Sequence, residues 1–428
     1  MYHAPRGTQD ILPEDVPYWT HVERAARRFA SLYSYTELRT PTFEETGLFR
    51  RGAGETTDVV EKEMYSFQDK GDNNITLRAE GTAPIMRAYL ERGLHARPQP
   101  VRLFSLISVF RYDRPQAGRL REHHQFDCEA IGDDDPSLDS EVITLLWRFY
   151  EAIGLTDLSL QINSIGCPEC RPGYVGRLRD HYAPHVEQLC GDCRRRLDHN
   201  PLRLLDCKVP TCQPIAEQAP GFAESLCAAC TDHFTQVSAY LAGEGIVPSL
   251  NRRLVRGFDY YTRTVFEVWP PEVGAQSSIG GGGRYDGLAE QLGGRHTPGV
   301  GFGTGLERLI LNLRRQGVGI ADEARPTVFV GHLSPAGRPA AAAFAKELRR
   351  RGMATIVGVG DRSVRARLRS ADASGARWAA LFGDDEARGE TVSLKTLGGE
   401  GPDVLTLEKA LARIADAAAT GAHAHPHD

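Results

Sequence analysis

Apolar side chains recur every three to four residues over 14–34. Val16, Trp19, Val22, Ala26, Phe29 and Tyr33 define one face, and Arg24, Arg27 and Arg28 the other. That period predicts an amphipathic helix. Pro41 then holds Thr40 extended. ITLRA (75–79) and VRLFSLISVFRY (101–112) predict strands. A second helical period starts at Asp139, read as its N-cap, runs through Val142, Leu145, Leu146, Phe149 and Ile153, and stops at Gly154. LSLQINSI (158–165) and TVFEVW (264–269) return to strand character. Near the C-terminus, TVFVGHL, an alanine-rich helix ending near Gly352, MATIVGV, a helix through Leu368, WAALFG and TVSLKTL alternate β-α-β-α-β. This alternation predicts a separate α/β domain over 326–428, with a frayed tail from Ala417.

A chain of 428 residues exceeds a single core. The expected division is an α+β body from 1–166 and 236–325, a cysteine-rich insertion at 167–235, and the C-terminal domain. A net charge of −5 gives no global basic field, so a nucleic-acid partner has to be met by local patches. The first twenty residues lack the basic-then-apolar pattern of a signal peptide, and no run reaches the roughly 18–20 apolar residues of a membrane span. No membrane association is expected, and cytoplasm is the expected compartment.

Eight of the nine cysteines fall between 167 and 230. Cys167/Cys170, Cys190/Cys193 and Cys227/Cys230 are Cys-x-x-Cys pairs, with Cys207 and Cys212 between the last two. The interval from Cys170 to Cys190 suits a tetrathiolate zinc site, although Cys227/Cys230 could replace either pair. Reduced thiols without metal and redox chemistry remain the other readings. The histidines of the tail, His423, His425 and His427, read as solvated.

Three segments concentrate the polar chemistry: FRYDRPQAGRLREHHQFDCE (110–129), LVRGFDYYTRTVFE (254–267) and GVGFGTGLERL (299–309). Each sets one arginine, Arg111, Arg256 or Arg308, among glycines, aromatics and carboxylates. A guanidinium stays charged and grips phosphate oxygens in pairs, so three of them can span a triphosphate. RPQAGRLRE reads as a basic loop between antiparallel strands. Strand alternation puts Gln125, Asp127 and Glu129 on one face, with His124, Phe126 and Cys128 on the other. Alternating glycines in GVGFGTG clear one face of a strand that leads into a helix near Leu306, where Arg308 reaches phosphate or simply joins a surface ion pair. SSIGGGGRYDGL (277–288) permits close approach of a ligand or forms a flexible hairpin, and it matches neither a P-loop nor a clean GxGxxG fingerprint. Glu80 and Glu129 serve either a cationic ligand or structural ion pairs.

Taken together, these segments resemble the histidyl-tRNA synthetases, a class II aminoacyl-tRNA synthetase family, over essentially the whole chain from RGTQDILP (6–13) onward. The helix 14–34 with Pro41 resembles motif 1, 110–129 motif 2 and 299–309 motif 3. LVRGFDYYTRTVFE and GGGRYDGL are similar to the two histidine-specific signatures. The resemblance implies an antiparallel catalytic sheet, a homodimer, and a C-terminal anticodon-binding domain. It also implies ATP-dependent ligation of L-histidine to histidine tRNA through histidyl-adenylate, with Mg2+ accompanying ATP.

Arg111 and Arg256 are then the catalytic cations around the α-phosphate. Glu80, Gly81, Thr82, Gln125, Glu129, Tyr260, Tyr261 and Tyr285, with the same two arginines, would hold histidine. Arg111, Asp113, Arg119, His123, Gly303 and Arg308 would hold ATP. Arg114 and Gln116 would read the tRNA acceptor end, and Arg362, Arg365, Arg367 and Arg369 would supply a phosphate-binding stripe. Four positions depart from the family pattern: Ala79 for proline, Asp113 for glutamate, His123 for phenylalanine and Asp127 for glycine. The alternative is a catalytically silent regulatory subunit of a histidine-biosynthesis phosphoribosyltransferase. Such a subunit is expected to lack the anticodon domain and the histidine signatures.

Overall fold

The computed structural model describes residues 2–54, 57–115, 118–271, 278–320, 328–399 and 401–422. The chain divides into two compact units, 1–320 and 321–428.

The first helix, Val16–Leu32, buries Trp19, Val22, Ala26 and Ala30, as its period requires. Val16 is exposed, and Tyr33 lies just past the helix end. The strands that follow are β1 (Thr36–Glu37), β2 (Phe43–Glu45), β3 (Ser66–Gln68), β4 (Asn74–Leu77), β5 (Val101–Phe110) and β6 (Glu122–Ile131). After them come β7 (Ser159–Ser164), β8 (Ser249–Leu250), β9 (Thr262–Trp269), β10 (Gly280–Arg284) and β11 (Gly299–Gly305). Eight of these form one sheet in the order β1-β5-β6-β11-β10-β9-β7-β8. Its six inner strands pair antiparallel, while the outer pairs β1/β5 and β7/β8 are parallel. The predicted strand at 75–79 is not part of it: β4 pairs with β2 and β3 in a small separate sheet.

The sheet alternation on β6 decides where the core ends and the site begins. Phe126, Cys128 and Ala130 join the core with Phe149 of the helix Pro136–Ile153. The Phe126 and Phe149 rings meet edge-on at 5.2 Å, and Phe126 meets Phe302 of β11 at 5.4 Å. Gln125, Asp127 and Glu129 therefore occupy the opposite face. The helix Pro136–Ile153 starts earlier than its apolar period suggests. Asp135 caps it, accepting from the Ser137 amide at 2.8 Å, while Asp139 is buried inside the first turn. Gly154 ends it in the left-handed conformation, as expected.

The cysteine-rich stretch lies within the first unit and shares its hydrophobic packing. Tyr174, Leu178, Tyr182 and Phe222 belong to the same buried cluster as Tyr260, Tyr261 and Tyr285. Val237 and Leu241, on the helix Ala228–Gly243, join the core around Phe149.

The second unit is a five-stranded sheet ordered β13-β12-β14-β15-β16, from β12 (Val328–His332), β13 (Thr355–Val357), β14 (Trp378–Phe382), β15 (Thr391–Thr396) and β16 (Asp403–Thr406). β12, β13 and β14 are parallel and joined through the helices Gly337–Arg350 and Val364–Ala373, while β15 and β16 close the sheet antiparallel. The segment expected to fray at Ala417 is part of a helix, Leu407–Ala422, whose buried Ala410, Leu411 and Ile414 pack on this sheet. The three tail histidines lie outside the described residues.

Candidate active site

β5 and β6 deliver the first arginine. Arg111 follows β5, and its Nε donates to the carbonyl oxygen of Ala79 at 2.7 Å. The bond uses the backbone of Ala79, which is why replacing a customary proline there leaves the arginine anchored. The Arg111 guanidinium also lies 5.5 Å from the Phe258 ring centre. Arg256 pairs with Glu267 of β9 and faces the Tyr261 ring at 5.8 Å. Its Nε is buried without a hydrogen-bond partner, so one donor of a largely buried cation is left for a ligand. Arg308, in the first turn of the helix Leu306–Arg315, donates to the carbonyls of Gly118 at 2.9 Å and Ser278 at 2.6 Å.

All three arginines line one cavity of about 310 Å³, together with Asp113, Arg119, His123, Gln125 and Gly303. Sequence reading missed Glu267 and Glu307 on its wall. Glu267 also accepts from the Trp269 indole at 2.9 Å, which fixes the carboxylate that meets Arg256. Glu307 accepts from the His124 amide at 2.9 Å and approaches its ring nitrogen at 2.9 Å, tying the start of the Arg308 helix to β6. The signal was present in LERL, where a carboxylate precedes the arginine, but its partner on β6 is a tertiary fact. Arg119 pairs with Asp113, and Glu63 lies 3.8 Å from Arg119. Burial, with Arg111 and Arg308 nearby, pulls the His123 imidazole down to about 3, so it is neutral at physiological pH.

A buried carboxyl cluster adjoins this cavity. Glu80 accepts from the amides of Thr82 at 2.7 Å and Ala83 at 2.8 Å, at the start of the helix Thr82–Glu91. Glu129 accepts from the Thr82 hydroxyl at 2.6 Å and the Tyr285 hydroxyl at 2.5 Å. The Thr82 side chain is thereby committed to Glu129. A Cβ on Gly301 would fall 1.7 Å from Glu129 Oε2, so the cleared strand face makes room for this carboxylate. Tyr260 stands between Tyr261 and Tyr285, with ring centres 4.7 and 5.9 Å away.

Burial pushes the Glu80 carboxyl up and that of Glu129 well above the usual carboxylate range. Asp127 is raised to about 8 by burial and by Glu80, against the opposing pull of Arg78 and Arg111. Each of Glu80 and Glu129 has two donors and capacity for about two more. Such a cluster favours a ligand that brings positive charge and N–H groups.

Several expectations are placed differently by the structure. The four glycines form β10, a buried strand paired on both sides, and not a hairpin. Gln116 lies outside the described residues, and Arg114 is exposed on the loop. Arg362, Arg365 and Arg369 are exposed, but Arg367 is buried and donates to the carbonyls of His332 and Val359, both at 3.1 Å. It therefore holds the second unit together and cannot serve a surface stripe. Among the cysteines, Cys167 and Cys170 gather with Cys227 and Cys230, whereas Cys190 and Cys193 gather with Cys207 and Cys212. The interval between Cys170 and Cys190 thus joins nothing, and Cys207 and Cys212, left unassigned by spacing, complete the second group.

A family model described as histidyl-tRNA synthetase matches residues 7–168 and 213–309, and one described as an anticodon binding domain matches 327–416. The histidine–tRNA ligase of Dehalococcoides mccartyi is 51% identical over 414 residues, covering 97% of this chain and 99% of that protein. That of Pelotomaculum thermopropionicum is 50% identical over 393 residues, covering 92% of each. The crystal structure of apo histidyl-tRNA synthetase from S. aureus superposes with a TM-score of 0.81 at 34% identity, covering 97% of this chain and all of that one. The class II sheet, the glycine-lined arginine cavity and these matches agree, and the chain belongs to the histidyl-tRNA synthetase family.

Proposed function

We propose that this chain is the ligase that joins L-histidine to histidine tRNA, with ATP as the activating substrate. The observation that carries this reading is the placement of Arg111, Arg256 and Arg308 around one cavity beside the buried Glu80–Glu129–Tyr285 cluster. Histidine enters with its α-ammonium toward Glu80 and Gln125 beside Gly81, and its imidazole between Glu129 and Tyr261. Thr82 and Tyr285 hold Glu129, and Tyr260 closes the pocket. An apolar isostere leaves Glu129 buried without its ligand hydrogen bond, which is a strong basis for rejection.

ATP lies over β10 and β11. Its adenine rests against His123 and Asp113, its γ-phosphate on Arg308 and its α-phosphate between Arg111 and Arg256. Arg119 orients Asp113, and Gly303 leaves the strand surface clear. Magnesium arrives with ATP as part of the substrate and neutralises phosphate charge. A histidine carboxylate oxygen attacks the α-phosphorus, the bond to the bridging oxygen breaks, and pyrophosphate leaves. Negative charge builds between two fixed guanidinia, so catalysis is positioning plus electrostatic stabilisation. The terminal adenosine 3′-hydroxyl of tRNA then attacks the adenylate carbonyl, loses its proton and releases AMP.

Arg114 and Gln116 meet the acceptor end, and Arg362, Arg365 and Arg369 contact anticodon-arm phosphates. The chain works in the cytoplasm as a homodimer through its first helix, and the cysteine-rich segment holds structural zinc. Among the described residues, no helix is long and apolar enough to cross a membrane.

The regulatory alternative is disfavoured by the anticodon-domain match and by the completeness of the arginine set. ATP–pyrophosphate exchange with each of the twenty amino acids decides between them. Exchange with histidine alone, lost in Arg256→Ala, is the expected result. Histidine binding without exchange for any amino acid overturns the ligase reading.

A further inference from the structure

The eight cysteines of the insertion separate into two groups of four, and within each group every sulfur lies within 4.8 Å of the others. In the first, Cys167 Sγ is 3.7 Å from Cys170 and 3.9 Å from Cys227, and Cys170 is 3.9 Å from Cys230. In the second, Cys190 Sγ is 3.9 Å from Cys207. A disulfide requires sulfurs about 2.05 Å apart, and all of these cysteines are free thiols. A tetrahedral ion with metal–sulfur bonds of about 2.3 Å sets its ligand sulfurs about 3.8 Å apart. The printed separations match that edge. They suit one ion per group and are too short for sulfurs spread around a multi-iron cluster.

The surroundings favour thiolates. The amides of Cys167 and Cys190 point at Cys170 Sγ and Cys212 Sγ, at 3.3 and 3.2 Å, and the Cys193 amide at Cys190 Sγ, at 3.4 Å. Backbone N–H groups aimed at sulfur stabilise its negative charge. Arg171 lies beside the first group, where its charge offsets the excess negative charge of four thiolates around a divalent ion. Cys193, Cys207 and Cys212 are buried in the second group and Cys230 in the first, so the second site is the better shielded from water.

We infer that the chain carries two separate structural zinc sites, Cys167/Cys170/Cys227/Cys230 and Cys190/Cys193/Cys207/Cys212. This goes beyond a single zinc of unassigned ligands and is independent of the roles proposed for the active-site residues. The second set falls in the part of the chain that the synthetase family model does not match, 169–212.

The two sites do different mechanical work. The first joins residues 60 positions apart and closes the base of the insertion, at the starts of the helices Arg171–Tyr182 and Ala228–Gly243. Arg171, next to its ligand Cys170, donates to the Tyr261 carbonyl at 2.6 Å. The second folds the segment that carries Arg203, whose Nη1 donates to the Arg256 carbonyl at 3.2 Å. Each ion thus steadies an arginine that props a backbone carbonyl of the histidine pocket.

The test is metal analysis of the full chain purified from zinc-replete cells without chelator, together with X-ray absorption at the zinc edge. Two zinc per chain are expected, with an all-sulfur shell near 2.3 Å. Cys212→Ser and Cys227→Ser should each lower the count to one, and their combination to none. Zinc content reads independently of aminoacylation, so loss of the ligase reading would leave it standing. One zinc per chain, iron in its place, oxygen or nitrogen in the shell, or a mass deficit from disulfides in the wild-type chain overturns the assignment. Because the wild-type protein supplies the count and the shell, a variant that fails to fold does not remove the test.

Discussion

Arg284 and Asp139 form an ion pair in which both side chains are fully buried. The arginine Nε reaches the carboxylate at 3.0 Å, and its terminal nitrogens also donate to the carbonyls of Asp133 and Asp135, both at 3.1 Å. His233 Nε2 lies 3.2 Å from the other carboxylate oxygen. The pair joins the end of the glycine strand to the helix behind the sheet, immediately before Tyr285, whose hydroxyl donates to Glu129. It explains the arginine of GGGGRYDG, whose role the sequence left open.

Removing one partner of such a pair leaves an uncompensated buried charge, so Asp139→Asn should cost about 3–5 kcal/mol of stability. Burial opposes ionisation of Asp139, but Arg284 and His233 outweigh it and hold the carboxyl at about 2, below its ordinary 3.8. A lowered carboxyl contributes stability that is present above pH 3.8 and is lost as pH falls through about 2. Urea unfolding between pH 2 and 5 should show this loss in the wild type and not in Asp139→Asn.

Arg256→Lys keeps the charge but loses the planar fork. Steady-state pyrophosphate exchange should show kcat reduced about 10²- to 10³-fold, the range for removal of one transition-state donor. KM for histidine should move far less. An equal rise in KM with unchanged kcat would place Arg256 in ground-state binding only.

Asp127 stands where the family commonly has glycine, and the fold gives it a place. Its Oδ2 is buried without a partner, and a Cβ at Gly81 would lie 2.2 Å from that oxygen. Because folding raises its carboxyl from 3.8 to about 8, its contribution is fully present below pH 3.8 and is lost as pH rises through about 8. Asp127→Asn should therefore gain stability relative to wild type between pH 6 and 9, read as a widening difference in Tm. A constant difference across that range would contradict a protonated Asp127.

His123 is neutral across the working range because its imidazole is held near pH 3. His123→Phe should retain exchange activity with KM for ATP changed by no more than about threefold, a difference of roughly 0.7 kcal/mol. The ratio of the two KM values should stay flat from pH 5 to 8. A ratio that climbs as pH falls would show that the imidazole gains a proton when ATP is bound.

The strand pattern around 101–131 and the glycine-to-helix step at 299–309 were legible because a period of two and a terminal cap are local properties. Those two segments also carried most of the arginine cavity. Asp139 was misread because a carboxylate ahead of an apolar helical period looks like a cap, and only the approach of Arg284 shows it to be a buried counterion. Arg367 was misread for the converse reason: four arginines in eight residues look like a surface, although helical rotation turns one of them onto the backbone of β12 and of the loop after β13.

The sequence by itself determined most of the elements, their apolar faces and the residue types able to hold phosphate, because these follow from nearest-neighbour spacing along the chain, while the choice of histidine came from the family resemblance of two longer segments. Tertiary structure alone decided the pairings: Arg256 with Glu267, Arg284 with Asp139, Glu129 with Tyr285, and the cysteines into two groups rather than three pairs. Those partners are set by which strands and helices pack together. Distance in space, and not distance along the chain, fixes the electrostatics of a buried charge.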